Sequence, residues 1–171
     1  MGNLIHLTYL RIRTTNIRKL PKSIGKLCNL LTLDYWDVSV DTEIHVPNVL
    51  WKLEKLRHLY LPNSSMIKDL KLHTLKDLIT LWGVGGGQWM PGEMDRLRPT
   101  LSKLYIHSIS TEDQLKAVLS CPSMEENGSL YALALDWYGF EFKNLDALLT
   151  KQTLIKLRLM GKAPDRLPAK G

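Results

Sequence analysis

The chain has 171 residues, of which 44% are hydrophobic and 23% charged, a balance typical of a globular domain rather than a disordered or fibrous protein. No apolar run approaches the roughly 18 residues that a membrane-spanning helix needs, and the first residues lack a secretory signal, so we expect a cytoplasmic protein. Two cysteines, Cys28 and Cys121, are too few for a disulfide framework or a cysteine-based zinc site, and we predict buried free thiols.

The net charge of +6 arises at the N-terminal end of the chain. Residues 1–30 hold six of the 23 Lys and Arg residues and none of the 17 Asp and Glu residues. This distribution favours one local basic patch over a stripe along the molecule, and it argues against nucleic acid as a partner. The six residues are Arg11, Arg13, Arg18, Lys19, Lys22 and Lys26.

A short leucine motif recurs along the chain. It reads Leu-x-x-Leu-x-(Leu, Ile or aromatic), and it starts at Leu7, Leu30, Leu56, Leu101, Leu130 and Leu154, with a weaker copy at Leu78. Successive copies begin 22 to 29 residues apart. These intervals lie in or near the range of leucine-rich repeats, in which each copy forms one structural unit of a solenoid.

Each copy of the motif is predicted to form one β-strand, whose alternate side chains point to opposite faces of a sheet. In the first copy, Leu10 and Ile12 would point inward, and Tyr9, Arg11 and Arg13 outward. Stacking the copies would build one parallel sheet. The corresponding inward pairs are Leu33 and Tyr35, Leu59 and Leu61, Leu104 and Ile106, Leu133 and Leu135, and Leu157 and Leu159.

The segments between the motifs are predicted to return along the convex side as short helical turns. Between residues 17 and 27, apolar side chains recur at every third or fourth position, which suits 3₁₀ turns. Thr111 and Gln114 have the spacing of a capping box, which predicts a helix over residues 114–119 that stops before Pro122; residues 144–149 could form another.

Residues 82–91 form the weakest copy, because Gly83 replaces the third apolar position of the motif. We expect an irregular loop there. Its run of three glycines lacks the Gly-Lys-Ser/Thr sequence of a phosphate-binding loop, so we assign no nucleotide site.

The sequence therefore predicts an α/β leucine-rich-repeat solenoid, a horseshoe with a parallel concave β-sheet and short helical or irregular convex returns. A single domain of about seven irregular repeats would cover residues 1–171. Residues 1–7 align with residues 24–30, so the chain begins partway through a repeat, and neither end carries a polar cap. We expect a fragment of a longer protein.

Three segments carry a more specific likeness: residues 2–10, residues 15–30 and residues 46–59, the last reading Val-Pro-Asn-Val-Leu-Trp-Lys-Leu-Glu-Lys-Leu-Arg-His-Leu. They resemble the repeat region of plant coiled-coil nucleotide-binding leucine-rich-repeat disease-resistance proteins, strongly over residues 1–62 and diffusely beyond. The resemblance implies a sensor that holds an adjacent nucleotide-binding domain inactive and recognises a pathogen effector or a guarded host protein. The phosphate-binding loop and other switch motifs of that domain are missing from this chain, so no cofactor is expected here.

One outward column and its neighbours form the predicted binding surface. The column reads Arg11, Asp34, Tyr60, Trp82, Tyr105, Ala134 and Arg158, so that three aromatic rings lie in a row. Large rings often anchor interfaces, although sheets favour aromatic residues in any case and Trp82 could instead fold into its loop. The predicted partner-binding residues are Tyr9, Arg11, Trp36, His58, Tyr60, Trp82, Tyr105, His107 and Arg158.

The six N-terminal basic residues have two interpretations. The resemblance implies that they dock onto the nucleotide-binding domain of the same receptor, and the alternative is a solvated surface. Arg11 and Arg13 should project from the sheet, whereas Lys19, Lys22 and Lys26 should lie elsewhere on the repeat, so the six need not form one patch.

No catalytic or metal-binding residue is predicted. The five histidines, at positions 6, 45, 58, 73 and 107, lack the paired spacing of a zinc helix, and the chain has no Gly-x-Ser-x-Gly motif. The sequence therefore predicts a protein-recognition domain and not an enzyme. The alternative is a free-standing intracellular leucine-rich-repeat scaffold or ubiquitin-ligase adaptor; an extracellular receptor domain is disfavoured because a signal and cysteine caps are missing.

Overall fold

The computed structural model describes residues 3–13, 15–36, 43–125, 128–141, 148 and 151–161. Within them, none of the helices is long and apolar enough to cross a membrane. The strands in the described residues are β1 (Tyr9–Arg11), β2 (Thr32–Asp34), β3 (Ile44–His45), β4 (His58–Tyr60), β5 (Ser65–Met66), β6 (Thr80–Gly85), β7 (Lys103–Ile109), β8 (Ala132–Trp137) and β9 (Lys156–Gly161).

Seven of these strands form one parallel sheet in the order β1-β2-β4-β6-β7-β8-β9, and β3 pairs with β5 in a separate parallel pair. Each strand of the large sheet pairs with the copy of the motif one repeat away, so the second leucines of the motifs align. This register confirms the predicted parallel sheet. The aligned column is Leu10, Leu33, Leu59, Leu81, Leu104, Leu133 and Leu157.

The core lies behind this sheet and consists mainly of the predicted inward side chains. Every predicted inward pair in the repeats of β2, β4, β7 and β8 is buried. At the two ends of the sheet, Ile12 is buried, whereas Leu10, Leu157 and Leu159 are half-buried. Each fully buried leucine contributes about 1.5–3 kcal/mol of hydrophobic free energy. Because the leucines of one repeat cover those of the next, the core runs through all the described repeats.

The returns are short helices, as the sequence predicts. 3₁₀ helices span Lys22–Lys26, Leu50–Lys52, Met94–Arg96 and Pro122–Met124, and each buries at least one side chain. One α-helix, α1, spans Glu112–Leu119. The hydroxyl of Thr111 accepts a hydrogen bond from the backbone N–H of Gln114 at 3.2 Å, so the predicted cap is confirmed although the helix begins two residues early. The other predicted helix, over residues 144–149, lies outside the described residues except for the buried Leu148.

The predicted irregular loop over residues 82–91 is wrong at its start, because β6 continues to Gly85. A bulge between Trp82 and Val84 shifts the register, and Val84 fills the core position that Gly83 would otherwise hold. Gly83 has a φ of +83°, and a Cβ there would lie 1.8 Å from the Leu61 carbonyl oxygen. Only glycine fits this turn of the backbone.

The prediction of a buried Cys28 is also wrong. Cys28 is exposed, whereas Cys121 is buried as expected. Cys28 follows the 3₁₀ helix Lys22–Lys26 and lies in a turn between the buried Leu27 and Leu30, where the backbone directs its side chain outward. Apolar neighbours in the sequence therefore did not indicate burial for this thiol.

A buried carboxylate joins the returns of two successive repeats. Glu93 Oε2 accepts hydrogen bonds from the backbone N–H groups of Leu72 and His73 at 2.6 and 2.9 Å, and Oε1 lies 2.9 Å from His73 Nδ1. Burial would raise the pKa of Glu93, but the hydrogen bonds from His73 and Leu72 outweigh it and lower the pKa below its ordinary value. The ionised carboxylate therefore stabilises the folded state.

We expect Gly83→Ala to destabilise the chain by at least about 3 kcal/mol, because the new methyl group meets a backbone oxygen that cannot move independently. Gly92→Ala is the matched control, since Gly92 has a φ of +76° with no atom within 4 Å of its Cβ position. That control should lose only about 1–2 kcal/mol, the cost of the left-handed backbone alone. Urea unfolding followed by tryptophan fluorescence measures both, and equal losses would refute the close contact.

We expect Glu93→Gln to lower the free energy of unfolding at neutral pH by about 1–3 kcal/mol, because the amide cannot accept all three hydrogen bonds. The carboxylate contributes stability above the pKa of an unfolded glutamate, and this contribution is lost as the pH falls through the lower pKa of the folded state. Stability of Glu93→Gln should therefore fall less than that of the unsubstituted chain between about pH 6 and pH 3. Glu54→Gln, at an exposed position, is the control and should keep the original pH profile.

Candidate functional site

The candidate site is the face of the seven-stranded sheet that points away from the core, called here the sheet face. Its central column contains Arg11, Asp34, Tyr60, Trp82, Tyr105, Ala134 and Arg158, which are paired strand by strand in the predicted order. The register of the repeats therefore places the predicted aromatic row on one face. Trp82 belongs to β6 and to this row, so the alternative in which it folds into its loop is wrong.

Three aromatic rings on the sheet face form one cluster. The ring centroids of Trp82 and Tyr105 are 5.1 Å apart, and Trp36 contacts both edge-on at 6.4 and 6.3 Å. Trp36 follows β2 and reaches Trp82 of β6 across β4, which lies between these two strands. Such tilted and edge-on pairs stabilise one another by about 0.5–1.5 kcal/mol beyond the area they bury. The cluster, defined as Trp36, Trp82 and Tyr105, is therefore a rigid platform.

Two residues that were expected to be exposed are buried. Tyr105 and His107 are each only 4% exposed, so the expectation that their rings project from the surface is wrong, and their part in partner binding stays a prediction. Neighbouring rings cover Tyr105, and β7 bulges beyond Ile106, which carries His107 below the surface. The remaining residues of the predicted set stay accessible: Trp36, His58, Tyr60 and Trp82 are half-buried, and Tyr9, Arg11 and Arg158 are exposed.

The hydroxyl of Tyr105 is fixed from an adjacent loop. Asn63 Nδ2 donates a hydrogen bond to the Tyr105 hydroxyl oxygen at 2.9 Å. Burial raises the pKa of Tyr105, so the hydroxyl stays protonated at neutral pH. The sequence analysis missed Asn63, because an Asn-Ser-Ser sequence between two motifs indicates only a turn.

A buried acid organises the N-terminal end of the sheet face. Asp34 Oδ2 lies 3.0 Å from Arg11 Nε and 2.9 Å from Arg13 Nη2, and the Asp34 side chain is only 3% exposed. Arg11 also lies over the ring of Tyr9, with its guanidinium carbon 5.6 Å from the ring centroid. The hydrogen bond to Asp34 raises the pKa of Arg13, and the Asp34 carboxylate holds both guanidinium groups in place.

The six basic residues are divided among different elements, as the repeat pattern predicted. Arg11 and Arg13 bind Asp34 on the sheet face, whereas Lys22 and Lys26 begin and end a 3₁₀ helix of the return. The backbone of Lys19 pairs with that of His45 in an isolated parallel β-bridge, and Arg18 is the residue before Lys19. Docking of a neighbouring domain by these residues stays a prediction.

The C-terminal part of the sheet face holds a depression of about 400 Å³. It exists because Ala132 and Ala134 place small side chains beside Trp82, and it is bordered by Arg158 and by Ile155, which is 79% exposed. An apolar floor with a cationic edge suits a protruding apolar side chain of a partner. Alanine carries no sequence signal for such a depression, so only the register revealed it.

The described residues hold no group of three or more His, Cys, Asp or Glu side chains that could bind a metal ion. His58 lies 3.0 Å from the hydroxyl of Thr80, and burial together with the nearby Lys103 and Arg57 lowers its pKa. His58 is therefore a neutral, hydrogen-bonded residue of the sheet face, separated from His107 by β6.

We expect Tyr105→Phe to lower the free energy of unfolding by about 0.5–1.5 kcal/mol, because Asn63 loses its acceptor while the ring contacts remain. Asn63→Ala should cost a similar amount, and the double variant should cost less than the sum of the two. Chemical denaturation of the four proteins measures the coupling. Strict additivity would mean that Asn63 and Tyr105 do not interact.

Comparisons with known proteins agree with this geometry. A family model described as a leucine-rich repeat region matches residues 1–169. Disease resistance protein RPP8 of Arabidopsis thaliana is 32% identical over 97% of this chain, which corresponds to 19% of the relative. Probable disease resistance RPP8-like protein 2 of the same plant is 42% identical over 47% of this chain and 9% of the relative. The chain thus spans about a fifth or less of the length of these relatives.

Two solved structures share the fold. An internalin from Listeria monocytogenes superimposes with a TM-score of 0.62 at 15% identity and covers 96% of this chain and 52% of its own. The structure of PEPR1-AtPEP1 superimposes with a TM-score of 0.56 at 18% identity and covers 95% of this chain and 22% of its own. The predicted solenoid fold and the predicted likeness to plant disease-resistance proteins are both confirmed.

Proposed function

Because this chain belongs to the leucine-rich repeat region family and is homologous to plant disease-resistance proteins, we propose that its sheet face recognises a pathogen effector or a guarded host protein. The observation that carries the proposal is the aromatic platform on the sheet face. Tyr60 and Trp82 are half-buried and neighbours in register, and Trp82 rests on the buried Tyr105. Rings held in place before binding lose little conformational freedom when a partner covers them.

Charge on the sheet face supports a protein partner over a small molecule. Two arginines stand at one end of the central column and Arg158 at the other, with the aromatic residues between them. Arginine and aromatic side chains are the residue types that most often dominate protein interfaces. A partner with an apolar protrusion and acidic flanks would fit both the depression beside Ala134 and its cationic edge.

The lysines of the return have a different proposed role. Lys19, Lys22 and Lys26 are exposed and form no ion pair with the described residues, in contrast to Arg11 and Arg13. We propose that they dock onto an acidic surface of a nucleotide-binding domain in the same receptor and hold it inactive. Nucleotide binding would belong to that domain, and the repeat region would act in the cytoplasm as a recognition module without catalytic activity.

The proposed mechanism is a shift between two populations. A partner on the sheet face activates the receptor only if it binds the released state more tightly than the docked state. To convert a receptor from 1% to 99% released, that preference must reach roughly 10⁴-fold. In this proposal, recognition uses the sheet face and docking uses Lys19, Lys22 and Lys26. Substitutions can therefore separate the two roles.

We expect opposite results from two sets of variants in the full receptor that carries this chain. Tyr60→Ala and Trp82→Ala should weaken partner binding about tenfold or more and leave the receptor inactive at rest. Lys19→Glu combined with Lys22→Glu and Lys26→Glu should release the switch domain and give a response without any partner. Partner affinity by calorimetry and cell death in leaves are the two readouts.

Lys76→Glu, at an exposed position outside the sheet face, is the charge control and should behave as the unsubstituted receptor. Circular dichroism of each variant excludes loss of the fold as the cause. If Tyr60→Ala leaves partner affinity unchanged, the sheet face is not the surface that binds the partner. A stop codon in frame before Met1 of the native transcript would instead favour a free-standing scaffold.

A further inference from the structure

A second concave feature lies at the end of the sheet face, beside the aromatic cluster. It is an open cleft of about 390 Å³ between the loop that follows β4 and the ends of β6 and β7. A single water occupies roughly 30 Å³ in the liquid, so the cleft has room for a side chain. Its lining includes Asn63, Ser65, Met66, Gly85, His107 and Ser108.

Two buried side chains among the lining residues carry polar atoms that lack a well-formed hydrogen bond within the described part of the chain. Ser65 is 1% exposed and His107 is 4% exposed. Neither Ser65 Oγ nor His107 Nε2 makes a hydrogen bond of normal length and angle with any described residue. Buried polar atoms are nearly always hydrogen-bonded in native proteins, because leaving one unpaired costs its desolvation. Two residues that line the same cleft carry such atoms, which points to a ligand that supplies their partners.

The imidazole of His107 is held in a fixed orientation. Its Nδ1 atom lies 3.0 Å from the hydroxyl oxygen of the adjacent Ser108. Ser108 has a φ of +53°, an unfavourable conformation for a residue with a side chain, and it lies where β7 shifts register between Ile106 and Ile109. Because a hydroxyl can donate or accept, the ring can present Nε2 either as an acceptor or as a donor.

The electrostatics of the cleft favour an uncharged ligand. Burial lowers the pKa of His107 against smaller opposing effects of the Gly83 backbone and Asp136, so the ring is neutral at pH 7. The only other titratable residue among the lining residues is Glu43, which is exposed. Among the described residues that line the cleft, an anion would find no cation and a cation would find no buried carboxylate. A neutral group with both a donor and an acceptor fits best.

We propose that this cleft binds a carboxamide, the side chain of an asparagine or glutamine in the protein that covers the sheet face. A carboxamide offers an N–H group and a carbonyl oxygen on separate atoms, which matches two separate unpaired groups. Asn63 connects the two surfaces, since it lines the cleft and donates to Tyr105 of the aromatic cluster. The proposal rests on the proposed role of the sheet face in protein recognition.

The test uses the full chain labelled with ¹⁵N-histidine and a small probe, N-acetyl-glutamine methylamide. We expect the probe to shift the Nε2 resonance of His107 with a millimolar dissociation constant. The matched probes, N-acetyl-glutamate methylamide and N-acetyl-methionine methylamide, share the two backbone amides and should bind much more weakly, because the side chain of the first is charged and that of the second carries no N–H donor or carbonyl acceptor.

Ser65→Ala separates binding from folding. It should weaken the affinity for the glutamine probe about three- to tenfold, as expected for one lost hydrogen bond. It should leave thermal stability unchanged or higher, because it removes an unpaired buried hydroxyl. Ser102→Ala, immediately before the opposite end of β7, is the control and should retain the affinity.

The proposal is overturned if the His107 resonance does not move up to the solubility limit of the probe, which would mean that the cleft holds only solvent. Equal binding of the glutamate probe, or full affinity in Ser65→Ala, would overturn it as well. These outcomes are independent of the partner test. If the probe binds but Tyr60→Ala has no effect on partner affinity, the carboxamide site stands and the proposed function fails. If Tyr60→Ala weakens the partner but the probe does not bind, the proposed function stands and the carboxamide site fails.

Discussion

Parallel strands in this protein must pair at the same position of every repeat, and the remaining structure depends on that constraint. A slip of one residue in any strand would turn its leucines to the surface and its polar residues to the core. The unbroken column from Leu10 to Leu157 prevents such a slip, because each leucine is covered by the leucines of its neighbours. The sheet face inherits this order, and residues far apart in sequence become neighbours at fixed spacing.

Most of the fold could be predicted because the period of the repeats shows which residue of one strand pairs with which residue of the next. The motif positions identified the strands, the inward side chains and the composition of the central column, and the Thr111 cap located α1. Two of the errors, the loop expected from residue 82 and the exposure expected of His107, lie where one residue departs from the period. Gly83 and Ser108 both adopt positive φ values beside a shift in register, and neither conformation is visible in a repeat pattern.

The candidate site was predicted less completely for a related reason. Its column of residues follows from the period, but the burial of each member depends on the sizes of its neighbours in three dimensions. Tyr105 is covered by Trp36 and Trp82, whereas the small side chain of Ala134 opens a depression. Asn63 and Ser65 lie in or beside the variable return, where the sequence contains no repeated signal. Distances between side chains, not their order, determine these features.

The ion pairs of Asp34 with Arg11 and Arg13 limit how the repeats can change over generations. An exchange of whole repeats with its junction between residues 13 and 34 would separate the two arginines from the acid that they enclose. The recombinant would leave a carboxylate inside the protein without its counterions, a change that is strongly destabilising. The first two repeats would therefore have to be inherited as one block, and a junction between residues 73 and 93 would carry a similar cost, because the buried Glu93 depends on Leu72 and His73 of the preceding repeat.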